Sequence, residues 1–281
     1  MCFGSRDDDP GPAPRRRSQK RRQETRHQDV PLQRINITGP VTPPGQVPAP
    51  ERDERGLWRE FAQHEVTSQV LLTALDNAAQ FLHHHGENLV LVAVGGAVNT
   101  IFLKTRKTTH DVDFFCPLLS EPHLSNLRHA GRVAVERSPA PLSQDWLNNA
   151  TARMPGVVEN INSLVRDATT QNAVIFCAPG LKVVAAPWNY SFIKKVSRIT
   201  QGTGRPYDAS DAVAYLYQFI TRKNTNKPVT FQTIQQWGRQ YKALCPIEVL
   251  QEINDIFQQT YGFEGIVFLG QARSRGAAGR S

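Results

Sequence analysis

LVLVAVGGAVNTIFLKTRKTTHDVDFF, residues 89–115, reads as strand, glycine turn, short helix, basic loop and strand. Leu89 to Val94 is an unbroken apolar run, the pattern of a strand buried on both faces. Gly95 and Gly96 follow, allowing the backbone to turn sharply and approach a ligand with no Cβ in the way. Val98, Ile101 and Phe102 then fall at helical spacing, which predicts a short helix beginning at the glycines. Its N-terminus would offer unpaired N–H groups and a positive dipole end to a phosphate. After a basic loop, His110 to Phe115 alternates as a strand does. Asp111 and Asp113 point to one face, about 7 Å apart at Cα, while Val112 and Phe114 point to a core.

Two carboxylates so close repel each other unless a cation or proton lies between them. Magnesium is commonly held by one or two carboxylates together with substrate phosphates, so Asp111 and Asp113 beside a glycine turn suit a metal–phosphate site. A glycine pair alone is merely a turn, and two acids alone can be the solvated face of an edge strand. The ordered combination is what favours a site.

The rest of the chain supplies a frame. Its 281 residues are enough for a sizeable core, as one large or two small domains. The formal charge of +8 is uneven. Residues 1–50 hold nine basic and five acidic side chains, and residues 271–281 add three arginines, which leaves the middle of the chain near neutrality. Residues 1–52 are rich in Pro, Arg and Gln and read as a disordered basic tail. The run Arg15 to Arg22 fits a nuclear localisation signal, a nucleic-acid-contacting arm or a solubilising tail, and Ser18 within it is a candidate phosphorylation site. Residues 269–281 form a second basic tail. Cys2, Cys116, Cys177 and Cys245 make no CxxC pair, which argues for free thiols in a reducing compartment and against a zinc site. Without a long apolar run or secretory leader, the expectation is an intracellular protein, cytoplasmic or nuclear, with no membrane partner.

Periodicity predicts a helix from about Leu57 to Leu82, closed by His83-His84-His85 and Gly86. Ser120-Glu121-Pro122 starts another, and Val133 to Val135 reads as a short strand. In Asp145-Trp146-Leu147-Asn148 the apolar pair reads as core anchors and the polar pair as caps. Ala173–Ala178 and Leu181–Ala186 read as strands joined at Pro179-Gly180. A helix over Tyr190–Ile199 carries Lys194, Lys195 and Arg198. Then Arg205-Pro-Tyr-Asp-Ala-Ser-Asp211 leads into an apolar helix, with Asp208 and Asp211 one turn apart on a shared face. These two acids serve equally as first-turn caps, as partners of a nearby cation or as site residues. Two further helices, around Ile234 and after Pro246, complete the chain.

The double glycine, short helix and D-V-D strand resemble the signature of the nucleotidyltransferase superfamily, the DNA polymerase β-like fold. Arg106-Lys107-Thr108-Thr109 before Asp111, and the lysine-bearing helix followed by R-x-x-D-x-x-D, resemble the branch near the bacterial abortive-infection toxins and their uncharacterised relatives. Asp145 to Asn148 resembles a short motif of that branch. The similarity spans roughly residues 88–220. It departs from the pattern in the fourteen residues between Gly96 and Asp111, and in the lack of a third acid on either later strand.

The resemblance implies an α+β fold: a small mixed sheet flanked by helices over residues 53–190, then a helical subdomain over 191–268. It implies transfer of a nucleoside monophosphate from an NTP to a hydroxyl of an RNA end, a protein or a small molecule. Asp111 and Asp113 would hold Mg²⁺ or Mn²⁺. Gly95, Gly96, Arg106 and Thr109 would contact the nucleotide, and Lys195, Asp208 and Asp211 would face them from the helical half. The basic tail would add affinity for RNA or another nucleic acid. The alternative is a degenerate fold of the same kind that binds nucleotide, nucleic acid or protein without catalysis.

Overall fold

The computed structural model describes residues 43–52, 55–224 and 226–268. Cys2, the basic run at 15–22 with Ser18, and the tail from 269 lie outside the described residues. In chain order the elements are β1 (Val66–Thr67), α1 (Ser68–His84), β2 (Leu89–Ala93), β3 (Thr108–Thr109), β4 (Val112–Phe115), α2 (Glu121–Glu136) and β5 (Leu147–Asn148). There follow α3 (Ile161–Gln171), β6 (Val174–Ala178), β7 (Leu181–Ala185), α4 (Trp188–Thr200), α5 (Asp208–Arg222), β8 (Val229–Thr230), α6 (Phe231–Gln240), α7 (Ile247–Tyr261) and β9 (Ile266–Val267).

The fold is α+β. Its main sheet runs β5-β4-β2-β7-β6, with β2 in the centre, antiparallel to β4 and parallel to β7. Leu91, Val92 and Ala93 are buried, as a strand with both faces covered requires. Helix α1 packs on α2 and lies against β6 and β7, while α4 packs on α5, α6 and α7. Burying the aromatic side chains Trp188, Tyr190, Phe192 and Tyr215 along α4 and α5 joins the helical part to the sheet in one core. None of the described helices is long and apolar enough to cross a membrane.

Three elements differ from the sequence reading. Helix α1 begins at Ser68, eleven residues after Leu57, because Val66–Thr67 pairs as a strand with Thr108–Thr109 and Thr67 then caps the helix, its hydroxyl accepting from Val70 N–H. His85 and Gly86 do close it, with Gly86 at φ +72°. Val133 to Val135 belongs to α2: Leu124, Leu127, Ala130 and Ala134 are buried at helical spacing, which outweighs the local β-propensity. Residues 43–52, grouped with the tail by composition, include Val47, which enters the core; its N–H donates to Asn149 Oδ1 at 2.9 Å.

Trp146 and Leu147 anchor the core as expected. The Trp146 Nε1–H donates to the Gly131 carbonyl of α2 at 3.0 Å, fixing the chain just before β5. Strand β5 pairs parallel to β4, with Val112 opposite Leu147 and Asp113 opposite Asn148. Trp146→Phe removes that hydrogen bond and leaves a void beside α2. We expect a loss of about 1–3 kcal/mol, measured by urea denaturation.

Candidate active site

The glycine turn is shaped by two separate demands. Gly95 sits at φ +63°, a conformation that side chains rarely adopt. Gly96 is excluded from carrying a side chain by contact: a Cβ there would lie 1.9 Å from Thr109 Oγ1. Thr109 is therefore the wall against which the turn closes. The Tyr215 hydroxyl, reaching from α5, donates to the Gly95 carbonyl at 3.3 Å.

The segment after the glycines is π-helical over Val98–Leu103. Six residues in that geometry make a poor dipole, so the expected phosphate seat at a helix N-terminus is not the main feature here. What the turn does instead is deliver a cationic loop. The Thr105 and Arg106 N–H groups both donate to the Asn99 carbonyl, and Thr100 Oγ1 donates to the Thr108 carbonyl at 3.2 Å.

Asp111 lies just ahead of β4 and Asp113 within it. Burial raises the Asp113 carboxyl, and the neighbouring Asp111 charge raises it further, to about 7. Burial raises Asp111 as well, against the opposing effect of a hydrogen bond from Asn148. Asn148 Nδ2 donates to Asp111 Oδ2 at 3.1 Å. No ion pair from Lys or Arg reaches either carboxylate among the described residues.

The cations of the helical half are held by buried acids. Lys195 Nζ lies 2.6 Å from Asp208 Oδ1 and 2.7 Å from Asp211 Oδ2. Arg106 forms a two-pronged pair with Asp211, Nε donating at 3.2 Å and a terminal nitrogen closing on the other oxygen. Its guanidinium also stacks 3.4 Å from the Tyr207 ring centroid. Asp208 Oδ2 accepts from the Arg205 backbone N–H at 2.9 Å and pairs with Arg198 Nε at 3.5 Å. Burial alone would raise the Asp208 carboxyl, but the Arg205 N–H and Lys195 outweigh it and hold its pKa below the usual range.

Acids and cations meet across one cavity of about 460 Å³. Gly95, Gly96, Thr109, Asp111 and Asp113 line it from the sheet side, Arg106, Lys107, Lys195, Arg198, Arg205 and Tyr207 line it as well, and Glu65 and His110 also border it. A second cavity of about 590 Å³ shares Gly95, Asp113, Lys195, Arg198 and Arg205 and continues past Thr151, Met154 and Tyr190. Seven of the nine residues singled out in the sequence thus line one space. Asp208 and Asp211 do not: at 0% and 1% exposure they stand behind the cations and orient them. Lys195 lines both cavities, whereas Lys194 borders only the second, its Nζ donating to the Pro155 and Tyr241 carbonyls.

Sequence reasoning missed three participants. Asn148 is not the capping residue of the helical turn Ala150–Arg153, a place that Asn149 takes; its Oδ1 accepts from Ala150 N–H two residues on, and its amide reaches Asp111. Arg205 and Tyr207 sit inside the R-P-Y-D-x-x-D run, where attention fell on the acids. The pairing of β5 beside β4, which neither short strand signals by itself, is what brings Asn148 in.

In this arrangement two half-buried carboxylates with no ion pair face a set of cations; carboxylates of this kind could hold a divalent ion, and such cations could pair with phosphate oxygens. Among the described residues no third His, Cys, Asp or Glu joins Asp111 and Asp113 as a metal cluster.

Two outcomes follow from the charges. The folded Asp113 pKa of about 7 exceeds its ordinary value of 3.8, so the folded state holds that proton more tightly than the unfolded one. Its contribution to stability is full below pH 4 and is lost as pH rises through 7. In chelator, Asp113→Asn is expected to raise the melting temperature at pH 8 and to leave it nearly unchanged at pH 4, as read by scanning calorimetry. Lys195→Met removes the cation that Asp208 and Asp211 share, leaving Asp208 to Arg198 and the Arg205 N–H and Asp211 to Arg106, and is expected to cost about 1.5–3 kcal/mol in urea denaturation.

In comparison with known proteins, no family model, no curated protein and no solved structure matches this chain.

Proposed function

We propose that this chain is a nucleotidyltransferase-like protein that transfers a nucleoside monophosphate from an NTP to a hydroxyl acceptor with a divalent metal. One observation carries the reading: the Asp111–Asp113 pair opens onto the same cavity as Gly95–Gly96 and five basic side chains. A triphosphate is the common ligand that satisfies both halves of such a cavity, since it brings negative charge to the cations and a metal to the acids.

In this reading Asp111 and Asp113 hold Mg²⁺ or Mn²⁺, which when bound neutralises phosphate charge and polarises the reacting oxygens. Lys195, with two of its three donors committed to Asp208 and Asp211, keeps one for a phosphate oxygen. Arg198 and Arg205 line the same cavity and would offset charge developing on the departing pyrophosphate. The acceptor oxygen attacks the α-phosphorus, the α–β bridging bond breaks, and the hydroxyl proton is released to solvent. The second cavity touches the first at Asp113, so donor and acceptor can approach the same carboxylate from two sides. The basic N-terminal tail, with its net +4, supports RNA or another nucleic acid as partner.

A second reading is a catalytically degenerate fold that binds nucleotide, nucleic acid or protein. It is favoured by the two-carboxylate site, which lacks the third acid that many active relatives of this kind carry.

The two readings separate on one experiment. Full-length chain is incubated with labelled NTPs, Mn²⁺ or Mg²⁺, and total RNA or lysate, beside Asp111→Asn and Asp113→Asn. Transferase function predicts a labelled acceptor with wild type and at least a 100-fold loss in either variant, about 2.7 kcal/mol of activation free energy. Nucleotide binding that the variants weaken, with nothing labelled, supports the binding module. Binding unaffected by either variant overturns both.

A further inference from the structure

Asn148 occupies a place that the reaction scheme leaves unexplained, and the following rests on the reading of Asp111 and Asp113 as the metal–nucleotide carboxylates. Parallel pairing puts Asn148 directly opposite Asp113 on the neighbouring strand, and its Nδ2 reaches Asp111 at 3.1 Å. The orientation of the amide follows from its surroundings. Oδ1 accepts from the Ala150 backbone N–H at 3.2 Å, and Nδ2 is also within 3.3 Å of the Asp145 carbonyl, an acceptor. Rotating the amide by half a turn would place an oxygen against two oxygens and an NH₂ against an N–H. The side facing the carboxylate pair is therefore a donor with no lone pair to offer a cation.

This matters for how a metal is held. Magnesium-class ions need about six oxygens and take from proteins only one or two carboxylates, leaving the rest to water and phosphates. A third carboxylate on the strand beside Asp113 would add both a ligand and a negative charge. Asn148 adds neither, and it uses one Asp111 lone pair for itself. Arg198 and Arg205 also direct positive charge at Asp113. A bare divalent ion thus meets the Asp111–Asp113 pair, with the Asp145 charge acting on Asp111 from beside it, a hydrogen-bond donor and nearby guanidinium groups, whereas an ion already carrying a triphosphate meets cations that attract its ligand.

We propose that Asn148 is a positioning residue that orients Asp111 and keeps the third ligand position neutral, so that the pair accepts a divalent ion only as its nucleoside triphosphate complex.

The test uses Mn²⁺ as probe, read by electron paramagnetic resonance on the full chain, with and without a non-hydrolysable ATP analogue. Wild type is expected to bind Mn²⁺ at least tenfold more weakly alone than with the analogue. Asn148→Asp keeps the shape and turns the donor into an oxygen; it should tighten binding of Mn²⁺ alone at least tenfold. It should also lower the melting temperature in chelator, with Mn²⁺ restoring it. Asn148→Ala should weaken Mn²⁺ binding in the presence of the analogue and broaden its spectrum, while Mn²⁺ alone binds as in wild type. The proposal is overturned if wild type binds Mn²⁺ equally well with and without the analogue. It is also overturned if Asn148→Asp gains nothing, or stays unfolded even with Mn²⁺. Failure of the functional reading looks different: wild type then shows no Mn²⁺ binding with the analogue, whereas a gain by Asn148→Asp in Mn²⁺ alone still reports the neutral position beside the acids.

Discussion

Lys195 lies between two carboxylates in a place almost closed to water, and much of the site depends on that contact. Desolvating an ammonium and two carboxylates is costly for each alone, and the cluster is tolerable because every charge has a close opposite. The same two acids draw in Arg106 from the loop after the glycine turn and Arg198 from the next turn of α4. One buried cluster thus joins α4 and α5 to the cationic loop, which lies about a hundred residues earlier in the chain. Three cations share two anions, and the unbalanced positive charge faces the cavity.

Opposite it stands the reverse imbalance. Asp111 and Asp113 are two like charges in a half-buried setting, where burial and mutual repulsion push the Asp113 carboxyl up to about 7, and a hydrogen bond from Asn148 to Asp111 relieves them only partly. Each wall of the cavity carries a charge that the other wall does not neutralise. At Gly95 a side chain would project into open space, and its absence keeps room between the walls. A ligand that brings a cation to one wall and anions to the other stabilises both, and by mass action it stabilises the fold as well.

Much of this was legible in the sequence because it is local. The apolar run at 89–94, the glycine pair, the D-V-D alternation and the R-P-Y-D-x-x-D helix start each declare themselves within a few residues. What escaped depended on contacts across long stretches. The start of α1 is set by a two-residue strand pairing with Thr108–Thr109, more than forty residues away. The roles of Asp208 and Asp211 rest on which cations reach them, and their spacing fits a cap as well as a ligand. Asn148 was read as a cap from its residue type, but Asn149 takes the cap position; the contact of Asn148 with Asp111 exists only because β5 lies beside β4. Thr109 was picked out as a nucleotide contact, whereas its closeness to Gly96 shows that it also sets the shape of the turn.

The loop between the π-helical turn and Asp111 has a further consequence. It is long, yet it is fastened at one end by the Asn99 carbonyl, at the other by β3 pairing with β1, and in the middle by the Arg106–Asp211 pair. A flexible loop of that length would have to be ordered by the ligand it receives, at a cost of roughly 0.5–1.5 kcal/mol for each long side chain immobilised. Here the ordering belongs to the folded chain before any ligand arrives. Arg106 waits in a fixed, stacked orientation, so affinity at this wall is limited by exchange of electrostatic partners and not by loss of conformational freedom.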